Sequence, residues 1–185
     1  MVTPTRILLA VFWLVWFYPY AFRAPHVQKR ESITVSAPTF AGLFLEVISV
    51  LVALWLHMPP EPGPGAARVA GACLCGGIAA LLSFTSVTHL GRQFRLRAGL
   101  YVDHKLVRTG PYAVVRHPIY ASVLAMLLCT MLMVTPWRWM PVSIALFVVG
   151  TEMRVLSEER LLASRFGPEF LKYRRRVPAY VPWVR

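Results

Sequence analysis

Residues 119–155 read IYASVLAMLLCTMLMVT (119–135), PWRW (136–139) and MPVSIALFVVGTEMRV (140–155). Two long apolar runs are parted by only four residues, and a second proline, Pro141, follows at once. A membrane-spanning helix needs roughly 20 mostly apolar residues, with a range of about 17–25. So short a connection predicts two spans folded back as an antiparallel hairpin. Working outward, three more apolar runs precede it, at residues 7–22, 38–57 and 66–90. The first ends in Trp16, Tyr18 and Tyr20, bulky aromatics that suit a membrane interface. It lacks a small-residue cleavage site and so reads as a span and not as a leader. The third is rich in Ala, Gly and Leu, which permits close helix packing.

The composition agrees. The chain has 185 residues, 57% of them hydrophobic and only 15% charged, yet it carries 20 Lys and Arg against 8 Asp and Glu, for a net charge of +12. Such apolarity excludes disorder, and a small nucleic-acid binder of that charge would be polar throughout. The positive excess is confined to particular connections. Residues 23–37, 91–118 and 154–185 hold 17 of the 20 basic residues; Arg6, Arg68 and Arg138 are the others. The positive-inside bias then puts the N-terminus outside and the C-terminus in the cytosol, with five spans. The expected fold is thus an all-α integral membrane protein. Residues 1–90 form three N-terminal spans, and residues 91–185 form a core of cytosolic loop, hairpin and C-terminal amphipathic helical cap. Cys73, Cys75 and Cys129 are odd in number and lie in apolar runs, and the five histidines have no ligand spacing. Neither a disulfide framework nor a metal site is expected.

Two polar segments remain. His104–Tyr120 reads HKLVRTGPYAVVRHPIY. Gly110-Pro111 is a turn signal, and Pro118 suits the first turn of the fourth span. Arg116 and His117 then lie at a helix N-terminus, which attracts anions through free N–H groups and the helix dipole. The bland alternative is a basic membrane anchor. Glu158–Pro182 reads EERLLASRFGPEFLKYRRRVPAYVP. Gly167 suits a helix stop and Pro168 a new helix start, with an apolar face beside a basic one. An amphipathic helix on anionic lipid is the bland reading. If the last two spans pair, Glu158 and Glu159 lie opposite Arg116 and His117. Glu46, inside the second span, is a costly placement that marks either a functional group or an interhelical pair.

These two segments resemble the isoprenylcysteine carboxyl methyltransferase family, most of all its short prokaryotic members, and more distantly the phospholipid methyltransferases. Leu90-Gly-Arg-Gln-Phe94 fits as well. The resemblance covers about half the chain. It implies an S-adenosylmethionine-dependent enzyme of a prokaryotic cell membrane. The cofactor would lie in a pocket at the cytosolic face beneath the C-terminal segment, and a lipophilic acceptor, a prenylcysteine or other lipid, would enter from the bilayer. By motif position, His104, Val107, Gly110, Pro111, Tyr112, His117, Tyr120, Glu158 and Glu159 would bind the cofactor. Arg116 would hold the acceptor carboxylate, and Glu159 joins it in the catalytic pair. An amine acceptor, as in phospholipid methylation, would use Glu159 or His117 as base. A sterol-type NADPH-dependent membrane reductase and a non-enzymatic lipid-binding protein are the other classes considered. The family usually has glycine two positions after the motif tyrosine; here Ser122 stands there, leaving less room for helix or substrate approach.

Overall fold

The computed structural model describes residues 3–23, 37–57, 63–91 and 105–181. Among them every regular element is helical: α1 (Pro4–Phe22), α2 (Ala37–Trp55), α3 (Ala66–Leu90), α4 (Pro118–Val134), α5 (Met140–Phe166) and α6 (Pro168–Arg176), with short 3₁₀ turns at Gly110–Ala113 and Trp137–Trp139. Proline occupies the first turn of α1, α4, α5 and α6, where the missing N–H has no intrahelical partner to lose. Gly167 ends α5 at φ +50°, a conformation open to glycine, and α6 starts at once.

The helices α1, α2 and α3, and the helical stretch Trp137–Phe166, are long and apolar enough to cross a membrane. Helix α4 is as apolar but only 17 residues long. The fifth apolar run does not stop near residue 155. It continues as one helix through Glu158 and Glu159 to Phe166, so both acids project from the same rigid rod as the span.

The last two helices are joined by a short turn but barely touch. Helix α4 packs chiefly on α3, and α5 packs chiefly on α2. The expected hairpin is therefore splayed, because each arm finds a better partner. On α3, small residues make the fit: Ala72 and Ala79 are fully buried with Met126, Cys129 and Met133 of α4, and Leu9 of α1 closes that cluster. Gly42 of α2 and Gly150 of α5 meet backbone to backbone. A β-carbon on Gly150 would lie 2.6 Å from the Gly42 carbonyl oxygen. A second cluster, Ala53, Leu127, Met131, Met140 and Phe147, knits α2, α4 and α5 at the far end from Glu158. There Arg68 donates to the carbonyls of Leu132 (2.8 Å), Met131 (2.8 Å) and Thr135 (2.5 Å), capping α4. A cation at a helix C-terminus is favoured by the dipole.

Candidate functional site

At the N-terminus of α4 the chain runs from the turn Gly110–Ala113 into Arg116, His117 and Pro118. Gly110 sits at φ +58°, and a β-carbon there would collide with the His89 ring at the end of α3. Glycine is required twice over, and the turn is seated against α3. Tyr112 is buried, and burial pushes its phenol well above the usual tyrosine range. Tyr173 of α6 donates to the Tyr112 carbonyl at 2.6 Å. Burial raises the Tyr173 phenol to about 12, with Arg116 and Arg108 pulling it the other way.

The C-terminal segment folds back onto this start. The Arg116 N–H donates to Pro178 (2.8 Å), and the His117 N–H donates to Ala179 (2.7 Å). The Arg116 guanidinium lies between α5 and that segment. Its Nε and Nη2 donate to one oxygen of Glu159, at 3.0 and 2.6 Å. Its Nη1 donates to the carbonyls of Arg174 (2.9 Å) and Val177. Both partners of the pair have side chains only 3% exposed. Arg174 approaches the other Glu159 oxygen, Nε to Oε2, at 3.1 Å. Arg116 is thus already engaged, on a carboxylate and on two carbonyls of the cap, and it ties that cap to the bundle.

Glu158 is placed differently. Its carboxylate is 37% exposed. It accepts from the Tyr120 hydroxyl at 3.1 Å and lies 3.6 Å from Nδ1 of His117. Among the described residues no arginine or lysine forms an ion pair with it. The Nε2 of His117 is buried without a hydrogen-bond partner, 3.5 Å from Glu159. An open carboxylate beside a buried imidazole at a helix start can hold an organic cation. The described residues contain no group of three His, Cys, Asp or Glu suited to a metal ion.

Arg116, His117, Tyr120, Glu158 and Glu159 therefore meet in one place, with Pro111 and Tyr112 in the adjoining turn. Val107 is half-buried in the strap before that turn. His104 lies outside the described residues. Sequence reasoning missed three residues that border this cluster. Arg154 stacks its guanidinium over the Tyr120 ring, 4.7 Å from the centroid. Tyr173 and Arg174 reach in from α6. The spacing Arg154–Glu158, one helical turn, was the available signal for the first. Ser122 also has a clear setting: it is fully buried, its Oγ accepts from Trp16 at 3.2 Å, and it shares a hydrogen bond with Tyr20 at 3.1 Å. The small space expected of glycine is here filled by a polar tie from α4 to α1.

The chain is similar to several known proteins. The chain is similar to protein-S-isoprenylcysteine O-methyltransferase B of Arabidopsis thaliana, 32% identical over 110 residues, which is 56% of this chain and 54% of that one. It is similar to the cobalt-zinc-cadmium resistance protein CzcN of Cupriavidus metallidurans, 36% identical over 92 residues, 48% of this chain and 42% of that one. It also resembles protein-S-isoprenylcysteine O-methyltransferase of Schizosaccharomyces pombe, 35% identical over 86 residues, 44% of this chain and 35% of that one. The chain spans about half the length, or less, of these curated relatives. The model of the isoprenylcysteine carboxyl methyltransferase family matches residues 72–164, half of the chain and all of α4 with most of α3 and α5. On that match the chain belongs to the isoprenylcysteine carboxyl methyltransferase (ICMT) family.

Proposed function

We propose that this chain is an S-adenosylmethionine-dependent membrane methyltransferase that esterifies the carboxylate of an isoprenylcysteine or similar lipophilic acceptor. It crosses a prokaryotic cell membrane five times, N-terminus outside, with the site on the cytosolic face. The observation that carries this reading is Glu158: a part-exposed carboxylate that, among the described residues, pairs with no arginine or lysine, in a chain of net charge +12.

S-adenosylmethionine supplies a methyl group on a sulfonium centre. The residues present fit it. Glu158, steadied by Tyr120, holds the donor's ammonium group. Val107, Gly110, Pro111, Tyr112, His117 and Glu159 complete the surround, His104 is assigned to it by motif position alone, and the cap held by Arg116 keeps water out. An ionised carboxylate acceptor has its lone pair ready, so alignment and water exclusion are the main tasks. Arg116 suits bidentate carboxylate binding. Because its donors already rest on Glu159 and the cap carbonyls, it serves the acceptor by exchanging the Glu159 carboxylate for the substrate's.

That engaged state also favours a second reading, an amine acceptor such as a phospholipid headgroup. Then Arg116 and Glu159 stay paired, and His117 takes up the proton that the amine loses. One experiment separates these readings and the reductase class. Purified protein is melted with S-adenosylhomocysteine or NADPH, and methyl transfer is measured on prenylcysteines, fatty acids and phosphatidylethanolamine. Stabilisation by the homocysteine compound and label on a carboxylate lipid are expected, since a ligand bound by the native state raises apparent stability. Stabilisation by NADPH alone would refute methyl transfer, and label on phosphatidylethanolamine alone would select the amine reading.

A further inference from the structure

Glu46 lies on α2, outside the residues that match the family, and its side chain is 5% exposed. It does not stand alone. One oxygen accepts from Thr151 at 2.9 Å, and the other is paired with Arg154. Three α5 residues follow one another at single-turn spacing: Gly150, Arg154 and Glu158. Gly42 and Glu46 do the same on α2. The glycines bring the backbones into contact, and that contact sets the two charged residues face to face. A β-carbon on Gly42 would lie 2.7 Å from Cγ of Arg154.

The position of Arg154 makes this pair consequential. Its guanidinium covers the Tyr120 ring, and Tyr120 donates to Glu158. An arginine one helical turn before a glutamate is well spaced to pair with it. Freed in an apolar bundle, a guanidinium takes the nearest carboxylate, because an unpaired buried charge is far costlier than a paired one. Apart from Glu46, the carboxylate whose charge acts on Arg154 is Glu158, one turn on along α5.

We propose that Glu46 is a positioning residue: by holding Arg154, it keeps Glu158 open for the cationic group of the ligand. This rests on the reading of Glu158 as the seat of the donor's ammonium group. Glu46 touches neither donor nor acceptor. It acts by occupying a cation that would otherwise neutralise the site.

The test is equilibrium binding of S-adenosylhomocysteine to the full chain in detergent. Glu46→Gln is expected to weaken binding tenfold or more. Adding Arg154→Met, which removes the freed charge but keeps an apolar chain of similar length, is expected to return affinity to within about threefold of wild type; replacing a buried ion pair by apolar residues is commonly tolerated. A purely architectural pair gives the opposite pattern, with no recovery in the double variant, and that result overturns the proposal. So does unchanged affinity in Glu46→Gln. Should Glu46→Gln not fold, Thr151→Val, which strips one hydrogen bond from Glu46, carries the test, with a two- to threefold loss expected and no loss overturning it. If the wild-type protein binds no S-adenosylhomocysteine, the proposed function falls first, and this inference falls with it.

Discussion

The Arg116→Ala variant measures how firmly the cap is held. Arg116 and Glu159 are each 3% exposed in their side chains, joined by two hydrogen bonds, and Arg116 also holds the carbonyls of Arg174 and Val177. Removing one partner of a buried pair costs about 3–5 kcal/mol. Arg174 remains 3.1 Å from Glu159 and offsets part of the loss, so the lower end, about 3 kcal/mol, is expected. At about 1.4 kcal/mol per decade, this raises the population of cap-open protein about 100-fold. The exposed run Arg174–Arg176 at the end of α6 is a ready trypsin target once the segment opens. Cleavage of the opened state tracks its population when opening and closing are fast. Limited trypsinolysis with mass-spectrometric mapping should show cuts after these arginines about 100-fold faster in Arg116→Ala. Arg116→Lys keeps the charge but loses the fork and should fall between. A change of less than threefold, or equal acceleration at Arg160 and Arg165 in α5, would refute the idea that Arg116 is a specific tie for the cap.

Two further outcomes are expected. Tyr173→Phe removes the hydroxyl that reaches the Tyr112 carbonyl and leaves that carbonyl unsatisfied, for a loss of about 1–3 kcal/mol seen in thermal melts. The folded Tyr173 phenol is raised to about 12, so its neutral form favours the folded state; this contribution is complete below the ordinary value of 10.0 and is lost as pH climbs toward 12. Melts of wild type and Tyr173→Phe should therefore converge between pH 10 and 12, and a constant gap would contradict the assignment. For topology, Gly63→Cys and Lys172→Cys, in a background without the native cysteines, should label from opposite sides of the membrane; labelling from one side would exclude five spans.

The helix positions were legible because apolar runs and proline or glycine at their ends are local signals. Pro118, Pro168 and Gly167 mark their boundaries directly. Which helix packs on which was not legible. Hydropathy treats α2 and α3 alike, and only the meeting of Gly42 with Gly150, and of Glu46 with Arg154, selects α2 as the partner of α5. The short turn after Thr135 suggested closer pairing of α4 and α5 than side-chain packing allows. At the site, the two motifs meet because α5 continues rigidly past the apolar run. What the motifs do not reveal is the occupancy of Arg116. Two of its partners are backbone carbonyls, and a carbonyl has no signature in a sequence. Arg154 was overlooked because it lies in the last turn of an apolar run and reads there as an interfacial anchor.

The charge balance explains why these acids are arranged as they are. With 20 basic residues against 8 acidic ones, a carboxylate in this chain is readily captured by an arginine. Glu46, Glu159 and Glu169 are each paired with one: Arg154, Arg116 and Arg108. Among the described residues Glu158 is not, although Arg154 lies one turn before it on the same helix. Arg116, too, enters the site, with its neighbour His117 3.6 Å from Glu158. The difference lies in what those two arginines already hold. Each is given a carboxylate of its own, Glu46 on one side and Glu159 on the other, and each is held by at least one further contact that fixes its direction. Buried ion pairs of this kind are weak evidence for stability, since apolar replacements often serve as well. Their consequence here is selective. Two acids of a basic chain are committed to Arg154 and Arg116, and on the proposed reading the acid between them keeps its charge available to a ligand.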